Sequence, residues 1–264
     1  GDAVNVKEGQ ICFTYGPHAE YYKIDTGDRY GGICITVPDD CPSELVPFTR
    51  IASIAMTALR TSEIELGDQV AVIGQGLVGN AAAQLASLQG AEVVAVDLDS
   101  GRLSLSQTCG IKNIINSSDH DWKKKLLEMT DGGVSTLIDA TGQASVIMDA
   151  CNVIQPYGEC ILLGSPRAPF QTNLTDMLNQ VHLPPFVTLK GSLEWRFPTF
   201  KDEFVKHSIE RNSEIIMNCI ADGRLQISPL LTQQLEPEQA AGAYEALRSK
   251  NSDYVGVEFV WQKQ

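Results

Sequence analysis

The sequence predicts an α/β chain built on an open, doubly wound parallel sheet, joined to a smaller β-rich part that draws on both ends of the chain. Three observations predict it. From residue 44 to about residue 197, short apolar runs alternate with segments of helical period, and repeated β-α-β units of that kind make a parallel sheet covered by helices on both faces. A glycine turn, Gly74-Gln75-Gly76-Leu77-Val78-Gly79, stands at the first strand-to-helix junction of the series. Residues 1–43 and 198–264 lack this rhythm. Of the 264 residues, 43% are hydrophobic and 20% charged, an ordinary composition that excludes disorder, collagen and coiled coil.

The front segment reads as β-prone runs at residues 10–14, 19–24 and 33–37, separated by Gly16-Pro17, Gly27-Asp28, Gly31-Gly32 and Pro38-Asp39-Asp40. Such runs bounded by turn residues form short strands. From Ser43, a residue suited to an N-cap, Leu45, Phe48, Ala52, Ala55, Met56 and Leu59 recur at helical spacing to about Ser62. Residues 69–73 then form an apolar run fit for a buried parallel strand, and residues 77–89 an Ala-rich helix stopped by Gly90. The alternation continues with a strand at 91–96, a helix at 100–109, a strand at 113–115 and a helix at 122–129. Residues 135–140, 144–154, 159–163, 175–181 and 187–193 carry it on. Beyond them the expected elements are a long helix over 200–222, a strand at 228–235, a helix at 237–249 and a last strand at 254–261.

Twenty Lys and Arg against 33 Asp and Glu give a net charge of −13. Such a surface repels phosphate backbones and anionic lipid heads, so neither nucleic acid nor membrane is expected as a partner. The apolar stretches are broken well short of the roughly 18 residues that a membrane span needs. The first residues carry no basic and apolar leader, so no secretory signal is expected. Cys12, Cys34, Cys41, Cys109, Cys151, Cys160 and Cys219 are odd in number and contain no Cys-x-x-Cys pair. They read as reduced thiols of a cytoplasmic protein.

The glycine turn follows an apolar strand and opens a helix, the context in which this spacing binds a dinucleotide. Gly74 permits the tight bend, Gly76 lets a pyrophosphate approach the backbone, and Gly79 allows close helix-to-strand packing. Unpaired amides and the partial positive charge of the helix N-terminus then lie beneath the phosphates. Asp97, eighteen residues past Gly79, ends the second strand. Its carboxylate suits the adenosine ribose hydroxyls and repels a 2′-phosphate, which favours NAD over NADP. Arg102 opposes that preference, because a guanidinium can hold a phosphate. The same turn also serves S-adenosylmethionine in methyltransferases, but Val70-Ala71-Val72-Ile73 carries none of the acidic residues often found before it there.

With Gly67-Asp68-Gln69-Val70 leading into this turn, and Ala83-Gln84-Leu85-Ala86, Gly90-Ala91, Asp97 and Arg102-Leu103 after it, the chain resembles the medium-chain dehydrogenase/reductases of the zinc-type alcohol dehydrogenase group. Gly16-Pro17-His18-Ala19-Glu20-Tyr21 looks like the family's G-x-x-A-E-Y segment, and Asp139-Ala140-Thr141-Gly142, residues 158–164 and Lys190-Gly191 fall at its later strand signatures. The resemblance implies a Rossmann NAD-binding domain over 44–197, with residues 1–43 and 198–264 returning to a GroES-like β-rich catalytic domain of which only a remnant is present. By position, Gly76, Leu77 and Val78 would face the pyrophosphate, Asp97 and Arg102 the adenosine ribose. Thr141, Gly164, Ser165, Ser192 and Leu193 would line the nicotinamide half. Relatives pair through the sheet edge, here residues 186–193, which implies a homodimer.

The departures matter as much. The family's Cys and His-Glu zinc ligands would precede the point at which this sequence begins, so the expectation is an N-terminally shortened chain. Thr49 falls at the usual third ligand position and is a poor zinc ligand. Zinc is therefore not assignable, and no metal ligands are expected among these residues. Cys12, His18, Cys34 and Cys41 form no short chelating pair. His18 is the one catalytic candidate, an imidazole able to relay a proton near the substrate, although a structural role is its simpler reading. His120, His182 and His207 have no partners at metal spacing, Lys123-Lys124-Lys125 reads as a solvated face, and Trp195 as a pocket or packing residue. The expected function is hydride transfer between NAD and a small secondary alcohol or ketone. Two alternatives stay open: an NAD-binding protein without catalysis, and a zinc-free reductase.

Overall fold

The computed structural model describes residues 6–249 and 251–261. Near the front, β1 (Cys12–Thr14) and β2 (Cys34–Thr36) pair antiparallel, Phe13 opposite Ile35. Residues 19–24 form no strand. The two-stranded sheet of β1 and β2 gives them no partner, and an unpaired extended segment leaves its backbone groups to water. The helix expected from Ser43 begins later. A single 3-10 turn spans Ser43–Leu45, and the continuous ladder, α1 (Phe48–Thr61), starts only after Pro47. A proline has no N–H to donate back to residue 43. Within α1, Ala52, Ala55, Met56, Ala58 and Leu59 are buried, as their spacing requires.

The alternating series folds in order as β3 (Gln69–Ile73), α2 (Leu77–Leu88), β4 (Glu92–Asp97), α3 (Ser100–Thr108), β5 (Asn113–Asn116) and α4 (Trp122–Met129). It continues as β6 (Val134–Asp139), α5 (Ala144–Ala150), β7 (Ile154–Leu162), α6 (Leu174–His182) and β8 (Thr188–Gly191). The six strands make one parallel sheet in the order β5-β4-β3-β6-β7-β8, Ala71 lying between Val94 and Leu137. Helices cover both faces of such a sheet, so the central strands are apolar at consecutive positions rather than alternating. Val70, Ala71, Val72, Val94, Ala95, Val96, Leu137 and Ile138 are all essentially inaccessible. Each buried Val or Leu contributes about 1.5–3 kcal/mol. The helix expected over 144–154 stops at Ala150 in a 3-10 turn, and β7 starts at Ile154, earlier than the sequence suggests.

After β8 the chain forms α7 (Ile209–Ala221), β9 (Leu231–Leu235), α8 (Ala240–Arg248) and β10 (Gly256–Phe259), with β9 and β10 paired in parallel. The long helix expected from residue 200 is shorter by nine residues at its start. Ser208 caps it by accepting the Arg211 amide at 3.1 Å, while the Ile209 and Glu210 amides bond to Pro198 O at 2.9 Å and Thr199 O at 2.8 Å. Phe204, ahead of the cap, is 86% exposed. No helix among the described residues is long and apolar enough to cross a membrane.

The chain divides into two compact units, one of residues up to Ser53 with those from Glu194 onward, the other Ile54–Leu193. The division falls inside α1 and just after β8. In the first unit Arg50 forms a two-pronged ion pair with buried Glu194, and its guanidinium lies 4.3 Å from the centroid of the Tyr15 ring. Burial pushes the Tyr15 phenol up to about 12; Arg50 opposes the shift and Glu194 adds to it. A raised folded value means that this phenol stabilises the fold fully below its unfolded pKa of about 10, and that the contribution is lost as pH rises toward 12. In an alkaline phenolate-absorbance titration Tyr15 should give a late component near pH 12, and Tyr15→Phe should remove it. A titration curve whose alkaline end the substitution leaves unchanged would contradict this.

Candidate cofactor site

The bend after β3 is built from main chain. Gly74 has a φ of +92°, open to glycine at little cost, and its amide bonds to Val96 O at 2.8 Å. A Cβ on Gly79 would lie 1.7 Å from Gly74 O, so only glycine lets α2 start this close to β3. Gly76 is the N-cap of α2 and brings no side chain to its amides. The first bond of the helix runs from Asn80 N to Gly76 O at 2.9 Å, which leaves the amides of Leu77, Val78 and Gly79 without helical partners. A Cβ on Gly76 would meet nothing within 4 Å, so the approach to those amides is open. An anion fits this cradle by charge and by shape.

Asp97 is buried at the end of β4, beside the bend. Its carboxylate accepts the Gln75 amide at 2.5 Å and the Asp99 amide at 2.9 Å. Arg102, half-buried, reaches within 4.0 Å of it, and Asp99 caps α3 by accepting the Arg102 amide at 3.0 Å. The strand order changes direction at β3, with β4 on one side and β6 on the other. That switch point is where open parallel sheets bind ligands, beyond the carboxyl ends of the strands.

Across the switch point, half-buried Thr141 follows β6, while Gly164 and exposed Ser165 follow β7. Thr141 donates its hydroxyl to Asp139 at 2.5 Å, and Gly164 its amide to Asp139 O at 2.7 Å. The Ser192 amide bonds to Leu162 O at 3.0 Å, its buried hydroxyl has no partner among the described residues, and Leu193 beside it is exposed. Gly74, Gly76, Leu77, Val78, Gly79, Asp97 and Arg102 thus gather at the C-terminal ends of β3 and β4, and the remaining five candidates at the ends of β6, β7 and β8.

Sequence reasoning missed what lies beneath the bend. Gln75 is buried; its amide nitrogen donates to Val72 O at 2.8 Å and its oxygen accepts from Ser106 Oγ at 3.0 Å. Asn80 donates to the same hydroxyl at 3.1 Å, and Gln84 to Asn80 at 2.8 Å. This polar chain fastens the turn to α3. Its signal was Asn80 and Gln84, four apart on one face of an otherwise Ala-rich helix.

The metal and acid-base candidates stand elsewhere. Among the described residues no group of three or more His, Cys, Asp or Glu could hold a metal ion. Thr49 is wholly buried and its hydroxyl has no partner among the described residues. These residues do not fit a catalytic zinc. His18 is exposed, edge-on to Phe259 at 5.7 Å and Tyr244 at 6.4 Å. His120 and His182 are exposed, while His207 lies 3.3 Å from Arg211. Lys123, Lys124 and Lys125 pair with Asp149, Glu128, and Asp119 and Asp121 respectively. Trp195 sits edge-on to Tyr30 at 6.0 Å.

Comparison with known proteins decides the family. The family model for zinc-binding dehydrogenases matches residues 78–204. Alcohol dehydrogenase 1 of Solanum tuberosum is 33% identical over 205 residues, covering 72% of this chain and 52% of that protein. The chain belongs to the zinc-type alcohol dehydrogenases of the medium-chain dehydrogenase/reductase superfamily. Alcohol dehydrogenase 1 of Trifolium repens is 31% identical to this family member over 156 residues, 54% of this chain and 40% of that protein. This zinc-type dehydrogenase chain spans about half the length of these two curated relatives. Among solved structures, the short chain alcohol dehydrogenase of Escherichia coli CFT073 complexed with cofactor NADH superposes with a TM-score of 0.72 at 15% identity, over 86% of this chain and 62% of that one. The likeness shows that the member shares the fold.

Proposed function

We propose that the chain binds NAD at the Gly74–Gly79 bend and serves an oxidoreductase that moves hydride between NAD and a small secondary alcohol or ketone. The observation that carries this reading is the cradle of free amides at Leu77, Val78 and Gly79 with buried Asp97 beside it. The NADH in the Escherichia coli structure and the alcohol dehydrogenase relatives support it. When bound, the nicotinamide ring carries the hydride. The chain's own residues bind and orient: the bend neutralises the pyrophosphate, Asp97 takes the adenosine ribose hydroxyls, and Arg102 flanks them. Thr141, Gly164, Ser165, Ser192 and Leu193 hold the nicotinamide half. Asp97 favours NAD over NADP, since a 2′-phosphate would meet a buried carboxylate.

In the same reading His18 exchanges a proton between solvent and substrate, and the unit formed by the chain ends is part of a GroES-like catalytic domain. The outer edge of β8 pairs with no strand among the described residues; exposed Leu189 lies on this strand and exposed Phe186 two residues before it, which suits a homodimer across that edge. All seven cysteines are free, in keeping with the cytoplasm.

The test is NADH absorbance with the full chain and a panel of secondary alcohols and ketones. Turnover with at least one of them is expected. Stoichiometric NADH binding without any turnover would replace this reading by a non-catalytic NAD-binding protein, and turnover that survives chelators would identify a zinc-free reductase.

A further inference from the structure

Asp139, the last residue of β6, is a buried carboxylate outside every role given above. Its side chain is inaccessible and accepts three hydrogen bonds from the turn that follows: Thr141 N at 3.0 Å, Thr141 Oγ1 at 2.5 Å and Gly142 N at 3.1 Å. Its main-chain oxygen accepts two more from the end of β7, Leu163 N at 2.9 Å and Gly164 N at 2.7 Å. The next residue, Ala140, donates its amide to Ile73 O at 2.9 Å, at the end of β3. The three turns beyond β3, β6 and β7 therefore meet around this residue.

They meet without slack. A Cβ on Gly142 would lie 2.2 Å from Ser165 O, one on Gly164 2.2 Å from Gly142 N, and one on Gly74 2.9 Å from the Thr141 methyl. Burial pushes the Asp139 carboxyl above the usual carboxylate range, against the pull of its three donors. A buried carboxylate is costly unless it is hydrogen-bonded, and the donors that offset the cost here all come from the turn after β6. The Thr141 hydroxyl hydrogen is committed to Asp139, and its oxygen accepts the Gln143 amide at 3.1 Å.

We propose that Asp139 is a positioning residue: it holds the Thr141–Gly142 turn at a fixed place between the glycine bend and Gly164, so that a dinucleotide lying across all three turns is bound along its whole length. This inference rests on the NAD reading above. It separates two ligands. NADH spans the turns, whereas ADP-ribose lacks the nicotinamide and engages only the bend and Asp97.

The experiment measures NADH and ADP-ribose affinity by calorimetry on the full chain and on Asp139→Asn, which keeps the shape but turns an amide N–H₂ toward backbone donors. The expected result is a loss of about tenfold or more in NADH affinity with ADP-ribose changed by less than about threefold. Thr141→Val and Thr141→Ser provide the second arm should Asp139→Asn fail to fold. Valine removes the hydroxyl and should weaken NADH as the asparagine does; serine keeps it and should not. Equal weakening of both ligands, or of neither, overturns the proposal while leaving the NAD reading intact. A wild-type chain that binds neither ligand overturns both.

Discussion

Gly79→Ala should lose NADH binding by about a hundredfold or more and lower the stability of the sheet unit by about 1–3 kcal/mol. The added Cβ would sit 1.7 Å from Gly74 O and 3.0 Å from the Ala140 Cβ. The first obstacle is backbone, which cannot swing aside as a flexible side chain would. To make room, α2 must back away from β3, carrying the amides of Leu77 and Val78 out of register with each other and with Asp97. Gly76→Ala is the informative contrast. Its φ of −68° suits any residue and its Cβ would meet nothing within 4 Å, so the fold should keep its stability. The new methyl instead occupies the approach to the amides, and NADH should weaken with no change in melting temperature. Fluorescence titration with NADH and thermal unfolding of both variants check the pair. An alanine at position 79 that binds NADH like the wild type would show that the bend does not carry the cofactor.

The second large effect concerns which cofactor binds. The Asp97 carboxylate accepts the Gln75 amide at 2.5 Å, and Arg102 stands 4.0 Å from it. Asp97→Ser removes the charge that would repel a 2′-phosphate and frees the guanidinium to hold one. The ratio of NADPH to NADH affinity should rise by about ten- to a hundredfold, equivalent to roughly 1.4–2.8 kcal/mol. Adding Arg102→Ala should take back most of the gain. A ratio that Asp97→Ser leaves unchanged would mean that the carboxylate serves only to hold the Gln75 and Asp99 amides.

Much of this was legible in the sequence because it depends on local pattern. Strands buried on both faces read as uninterrupted apolar runs, and β3 and α4 fall at the residues expected for them. The glycine spacing marks the bend that opens α2, and Asp97 ends β4 beside it. The failures share a different cause. Residues 19–24 have the composition of a strand but no neighbour to pair with among the described residues, and strand formation is decided by the partner. Residues 200–208 have a helical period, yet Ser208 takes the cap and the chain ahead of it bonds back from α7 to Pro198 and Thr199. The bonds that tie Gln75 and Asn80 to Ser106 went unread for a third reason. Ser106 lies on α3, and the sequence marks the contact only indirectly, through Asn80 and Gln84 four apart on α2.

Residue-resolved amide hydrogen exchange of the full chain with and without NADH measures directly whether the bend holds the cofactor. The account predicts that NADH slows exchange at Leu77, Val78 and Gly79, the three amides that α2 leaves without helical partners, and that Gly76→Ala reduces this protection. Protection confined to other parts of the chain, with those three amides exchanging as they do in the free protein, would contradict it.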